Sequence, residues 1–153
     1  MSKLLDKNLV FIDADVDTAE DAIRLMASRL QELGYVKEGY AQMVLDREKD
    51  FPTGLPGKSM CIAIPHTNPS LVIKPAIGVI VPRHPVEFSM MGEPDTKLQV
   101  SLIMPLVIKD SNKQIDLLRA MMYVIQDDEL LRSVGTSKSP EEIVSLLHEL
   151  DEA

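Results

Sequence analysis

Three histidines and one cysteine are the residues in this 153-residue sequence that could supply a nucleophile near neutral pH. His66 has the most telling setting. It follows the apolar run Ser59-Met60-Cys61-Ile62-Ala63-Ile64 and then Pro65. A proline just past a strand ends the ladder, because it has no N–H to donate, so the next side chain stands at the strand's end. Two readings of His66 stay open on pattern alone. It either bonds a backbone carbonyl and does nothing more, or it presents an imidazole to a partner. His84, between Arg83 and Pro85, reads as an exposed turn residue near a possible site rim. His148, beside Leu147, reads as a solvent-facing residue of the last helix. Cys61 lies mid-strand in apolar company, where burial raises a thiol's pKa, and reads as inert.

Other chemistries lack their signatures. No pair of histidines sits at helical ligand spacing and no Asp/Glu-His cluster has metal-ligand spacing, so no metal is expected. G-x-S-x-G, the P-loop and G-x-G-x-x-G are all absent, so neither an acyl-transfer elbow nor a nucleotide cradle is expected. What remains is histidine as a nucleophile toward phosphorus. One ring nitrogen attacks while the other is held by a hydrogen bond that fixes the tautomer. A phosphorylated side chain carries a charge of about −1.5 to −2. A group that meets this charge without competing as a nucleophile is needed, and an always-protonated, forked guanidinium fits. Arg47, Thr53 and the backbone N–H groups around Thr53-Gly54 are the candidates. Arg47 has a plainer reading as well, a cation favoured by the dipole at a helix's C-terminal end.

The elements that position these residues follow from pattern. Leu9 to Ile12 reads as a strand. Asp17 begins a capping box with Glu20, and Ala22, Ile23, Met26, Ala27, Leu30 and Leu33 then recur at helical spacing until Gly34 ends the helix. Residues 38–49 read as a second helix with Tyr40, Met43 and Val44 on one face and Arg47 a turn beyond. Two prolines and two glycines make Phe51 to Gly57 a shaped turn, neither helix nor central strand. Strands are expected at Ser59–Ile64, Ala76–Val81, Pro85–Phe88 (a short edge) and Leu98–Ile108, where Pro105 ends or bulges the last. Met90 to Thr96 reads as a polar loop. A helix starting at a Ser111–Gln114 capping box, a shorter one over Asp128–Val134 and a last one opened by Ser139-Pro140 complete the chain. This order predicts an α/β fold: one domain over residues 1–153, with a mixed, roughly five-stranded sheet and helices on both faces.

Bulk properties narrow the function. Hydrophobic residues are 45% and charged residues 26%, the balance of a soluble globular chain. A net charge of −8, few aromatics and no Lys/Arg cluster argue against a nucleic-acid partner. Acidity of this size would steer a basic partner, or simply maintain solubility. No apolar run approaches the ~20 residues that span a bilayer, so no membrane insertion is expected. The first residues lack a signal-peptide pattern, and the single cysteine excludes an internal disulfide; both point to the cytoplasm.

The stretch R-E-K-D-F-P-T-G (47–54), followed by I-A-I-P-H (62–66), resembles the signature of the phosphotransferase system (PTS) enzyme IIA components of the fructose/mannitol class, and most of all the galactitol-specific IIA subgroup. The likeness extends through V-S-L-I-M-P-L-V-I-K-D-S-N-K-Q-I-D-L-L-R to I-Q-D-D-E-L-L, nearly the whole chain. It implies that His66 is phosphorylated by the phosphocarrier HPr and hands the group to a cysteine of enzyme IIB, with the membrane component IIC a partner only through IIB. It implies that Arg47 belongs to the site, that no cofactor takes part, and that the system serves a sugar alcohol such as galactitol. Gln114 stands where mannitol and fructose members carry a second histidine; it can hydrogen-bond a phosphoryl oxygen but cannot carry charge. Thr53 and Gln114 are the supporting candidates. Two alternatives keep the same fold: a regulatory IIA-like module whose phosphorylation state controls protein partners, and a binding domain that is never phosphorylated.

Overall fold

A computed structural model describes residues 4–152. In chain order it contains β1 (Leu5–Ala14), α1 (Ala19–Glu32), α2 (Tyr40–Asp50), β2 (Gly54–Pro56), β3 (Cys61–Ala63), β4 (Ala76–Pro82), β5 (Val86–Met90), β6 (Glu93–Ile103), β7 (Leu106–Val107), α3 (Ser111–Gln126), α4 (Asp128–Gly135) and α5 (Pro140–Leu146), with 3-10 turns at Pro69–Leu71 and His148–Glu152. The expected α/β class and mixed sheet are present, with seven strands rather than five. The strand order is β1-β4-β6-β3-β2-β5. β5 also pairs back onto β6, so β6, β3, β2 and β5 close a small ring, and β7 pairs with β4. β1–β4, β3–β6 and β2–β5 are parallel, and the other pairings are antiparallel.

The two additional strands have physical causes. Gly54–Pro56 falls in the stretch expected to be only a turn, yet it runs between β3 and β5. Its proline ends the strand, where no ladder N–H is required, opposite Cys61. Its glycine lets two backbones approach: a Cβ built at Gly54 would lie 2.6 Å from the carbonyl oxygen of Ser89. Pro105 does break the long apolar strand, and the residues after it pair with β4 as β7. The polar loop expected at Met90–Thr96 is instead a tight turn at Met91-Gly92, with Gly92 at φ 79°, from which β6 starts at Glu93. β5 pairs on both sides rather than forming an edge. β3 is only three residues long, shorter than the strand expected there.

Helices cover both faces. On one, α1 and α2 bury Ile23, Met26, Leu30, Tyr40 and Val44 against Ala63, Ile80, Val100 and Ile103. On the other, α3, α4 and α5 bury Met121, Leu131 and Ile143 against Ile62, Ile77 and Leu102. Successive β3 residues thus feed opposite cores, as a pleated strand requires. Each fully buried aliphatic side chain contributes about 1.5–3 kcal/mol, which fixes the short β3 in place from both sides.

Helix ends follow local chemistry. α1 is capped by Thr18, whose hydroxyl accepts the Asp21 N–H at 3.1 Å, one residue later than the Asp17 box expected from pattern; Asp21 reaches back to the Asp17 N–H at 3.3 Å. Gly34 (φ 83°) ends it as expected, with the Tyr35 N–H on Leu30 O and the Gly34 N–H on Gln31 O. The α3 cap is Asp110, which accepts the Asn112 N–H at 2.9 Å; the Ser111 side chain of the expected box lies outside the described residues. Ser139 caps α5 as expected.

One prediction tests the ring closure. Gly54→Ala should cost about 1–3 kcal/mol in urea unfolding, the usual range for overpacking, because the clashing atom is backbone rather than a movable side chain. An unchanged midpoint would show that β2 and β5 are not held this closely.

Candidate functional site

The site is assembled where α2 ends and β3 ends. β3 is clamped between β2 and β6, and the chain leaves it through Ile64 and Pro65. The residues after β3 remain tied down: Ile64 N–H bonds Thr53 O at 3.3 Å, and Pro65 O accepts Leu106 N–H at 2.9 Å. His66 is therefore held on both sides, and it is buried. Its Nδ1 lies 2.7 Å from Ile64 O. A carbonyl oxygen only accepts, so Nδ1 carries the proton, and the lone pair of the neutral ring is on Nε2. Burial lowers the pKa of His66 from the ordinary 6.5, and the positive charge of Arg47 lowers it further, against the opposing pull of the Ile64 bond. At neutral pH the ring is thus an uncharged imidazole of fixed tautomer, with the Nε2 lone pair available.

Arg47 lies in the last turn of α2, half-buried. Its guanidinium stacks 5.2 Å from the centre of the exposed Phe51 ring. Among the described residues, Arg47 Nε is a buried nitrogen with no hydrogen-bond partner. A buried unpaired donor on a cation is costly, and an anionic oxygen would satisfy it. Nothing about a helix-end cation requires that burial, so the dipole alone does not account for Arg47.

Thr53 is buried, and both its donors are committed to one neighbour. Its N–H reaches Glu48 Oε2 at 2.8 Å and its hydroxyl reaches Glu48 Oε1 at 2.7 Å. Sequence reasoning gave Glu48 no role. A partial signal existed: Pro52 supplies no N–H, so Thr53 carries the first donor after it, and Glu48 and Asp50 are the carboxylates shortly before it in the chain. Burial raises the Glu48 carboxyl above its usual range, while the two Thr53 donors and Arg47 pull it back. Gln114 sits half-buried in the first turn of α3, with no hydrogen bond to His66 or Arg47 among the described residues. His84 is exposed in the β4–β5 turn. His148 is exposed too, its Nδ1 2.8 Å from Ser145 O in the final 3-10 turn rather than in a helix. Cys61 is half-buried in β3. No group of three or more His, Cys, Asp or Glu side chains that could hold a metal occurs among the described residues.

The family model described as "Phosphoenolpyruvate-dependent sugar phosphotransferase system, EIIA 2" matches residues 3–150. The chain belongs to this EIIA family. Its members are phosphotransferase components of sugar uptake systems. The chain is 29% identical over 103 residues to the galactitol-specific EIIA component of Escherichia coli strain K12, covering 67% of this chain and 68% of that protein. It is 26% identical over 152 residues to the mannitol-specific enzyme IIA component of Bacillus subtilis, covering 97% and 99%. The fold superposes on the Escherichia coli complex of enzyme IIA-mannitol with phosphorylated enzyme IIB-mannitol with a TM-score of 0.77 at 26% identity, covering 95% of this chain and 97% of that one. Both sugar-alcohol branches thus stand at similar distance from this EIIA chain. No described helix is long and apolar enough to cross a membrane.

The state of His66 carries a prediction about pH. A folded pKa below the unfolded 6.5 means that the unfolded chain binds the proton the folded one refuses. The contribution to stability is therefore complete above pH 6.5 and is lost as pH falls from 6.5 through the lowered folded value. In an NMR titration the His66 ring should titrate below 6.5, and Arg47→Ala should move its midpoint upward by removing the neighbouring charge. A midpoint at or above 6.5 in the wild type would contradict the buried, neutral imidazole.

Proposed function

We propose that this EIIA chain is a phosphocarrier in which His66 accepts a phosphoryl group from phospho-HPr and passes it to a cysteine of an enzyme IIB. The observation that carries the reading is the committed Nδ1 of His66, which leaves the Nε2 lone pair as the nucleophile beside an Arg47 donor in need of an anion. In the first step Nε2 attacks the phosphorus of the HPr phosphohistidine. A new N–P bond forms, the old one breaks, and its electron pair returns to the HPr ring. In the second the IIB thiolate attacks the same phosphorus, and the pair of the Nε2–P bond returns to His66. Ile64 O keeps the Nδ1 proton throughout, so neither step needs a separate acid or base. Arg47 meets the charge on the phosphoryl oxygens, so the catalytic contribution is placement and electrostatics.

The net charge of −8 favours a basic docking surface on HPr. The cargo class we propose is a sugar alcohol, galactitol or mannitol being the relatives' substrates. The whole path lies within a soluble exchange between proteins, which suits the cytoplasm, with IIC reached only through IIB. Thr53 supports the site through its turn, and Gln114 is the supporting side chain on α3.

The test is a two-stage transfer. Phosphoenolpyruvate, enzyme I and HPr should give an acid-labile adduct on the protein. Mixing that adduct with galactitol-type and mannitol-type IIB proteins should move the label onto a IIB cysteine. An adduct that forms but leaves for no IIB would overturn the carrier role.

A further inference from the structure

Glu48 stands at the head of a continuous chain of hydrogen bonds that ends on the His66 ring. Its carboxylate takes the Thr53 N–H and hydroxyl at 2.8 and 2.7 Å. The Thr53 carbonyl takes the Ile64 N–H at 3.3 Å. The Ile64 carbonyl takes His66 Nδ1–H at 2.7 Å. Glu48 is also the residue next to Arg47 on the last turn of α2. One side chain therefore ties the end carrying the guanidinium to the strand end carrying the imidazole. Loops between Asp50 and Gly54 have no other side-chain bond of this kind among the described residues, and the intervening Phe51 is exposed.

We propose that Glu48 is a positioning residue for phosphoryl transfer, a clamp on Thr53 that sets the register between Arg47 and the His66 ring. This rests on the phosphocarrier reading above. The carboxylate touches neither the phosphoryl group nor the partner; it acts through Thr53 and Ile64. Glu48 is half-buried, and each of its two carboxylate oxygens accepts one Thr53 donor. The clamp works by geometry rather than by charge. A glutamine can accept the Thr53 N–H with its oxygen and donate its NH2 to the Thr53 hydroxyl oxygen, so both bonds survive the loss of charge.

The test compares Glu48→Ala, Glu48→Gln and Thr53→Val with the wild type in two measurements. The first is the rate of labelling from phospho-HPr. The second is the nitrogen NMR signature of the His66 tautomer in the unphosphorylated protein, which does not depend on any transfer taking place. Glu48→Ala should lose on the order of 10²-fold in rate, the scale of a roughly 1 Å misplacement, and its His66 ring should sample both tautomers. Thr53→Val, which removes only the hydroxyl bond, should fall between, and Glu48→Gln should stay within about threefold of wild type with the Nδ1–H tautomer intact. If Glu48→Ala proves unfolded, the Thr53→Val and Glu48→Gln results decide alone. A wild-type tautomer and rate in Thr53→Val, or a Glu48→Gln protein slowed on the order of 10²-fold, overturns the clamp. Should the wild type itself take no label, the carrier reading fails, while the tautomer series still judges the clamp.

Discussion

His66→Ala should take no label from phospho-HPr, while its unfolding midpoint should stay close to that of the wild type. On the proposed mechanism, losing the imidazole removes the atom that would bond phosphorus and leaves no residual route, whereas deleting a supporting group should give only a partial loss. The fold should tolerate the change. The ring's one described hydrogen bond is local, from Nδ1 to Ile64 O, and the strand end is independently held by Thr53 and Leu106. The small cavity left costs something, but β3 keeps its pairing on both sides. Mass measurement of the intact protein under non-acidic conditions reads the result. Label in the variant at the wild-type level would move the acceptor to another side chain, and His84 and His148, both exposed, would be the ones to examine.

Arg47→Ala comes second in size. Transfer into the protein should slow by about 10²–10³-fold, the usual loss when one aligned donor to a developing charge is removed. Stability should change by no more than about 1 kcal/mol from the lost helix-end cation. Its Nε is buried and unpartnered, so its removal leaves no orphaned group behind. Arg47→Lys is the informative companion. It retains a charge but not the fork, and should recover only part of the rate. If both variants transfer at the wild-type rate, Arg47 is a helix-end charge stacked on Phe51 and nothing more.

Much of this arrangement was legible in the residues. The run from β3 through Pro65 to His66 announced a strand delivering a side chain, because proline stops a ladder in a way no other residue does. Gly34 and Ser139 marked their helix ends for equally local reasons. The misses share a cause, since pairing is a property of two segments. Gly54–Pro56 reads as a turn from its own composition and becomes a strand only because Cys61–Ala63 and Met90 lie alongside. β7 likewise exists because β4 is there to receive it. Glu48 escaped notice because its bonds to the Thr53 N–H and hydroxyl depend on how the chain folds back after α2, and no spacing chooses it over Asp50. The choice of ring nitrogen was equally invisible, since it depends on where Ile64 O ends up in space.

In the proposed carrier His66 holds the phosphoryl group on Nε2, with Nδ1 bonded to Ile64 O. The most direct test is a nitrogen–phosphorus NMR measurement on histidine-labelled protein phosphorylated by phosphoenolpyruvate, enzyme I and HPr. One phosphohistidine is expected, at His66, with coupling from phosphorus to Nε2 and the proton still on Nδ1. Phosphorus on Nδ1 of His66, or on any other residue, would contradict it.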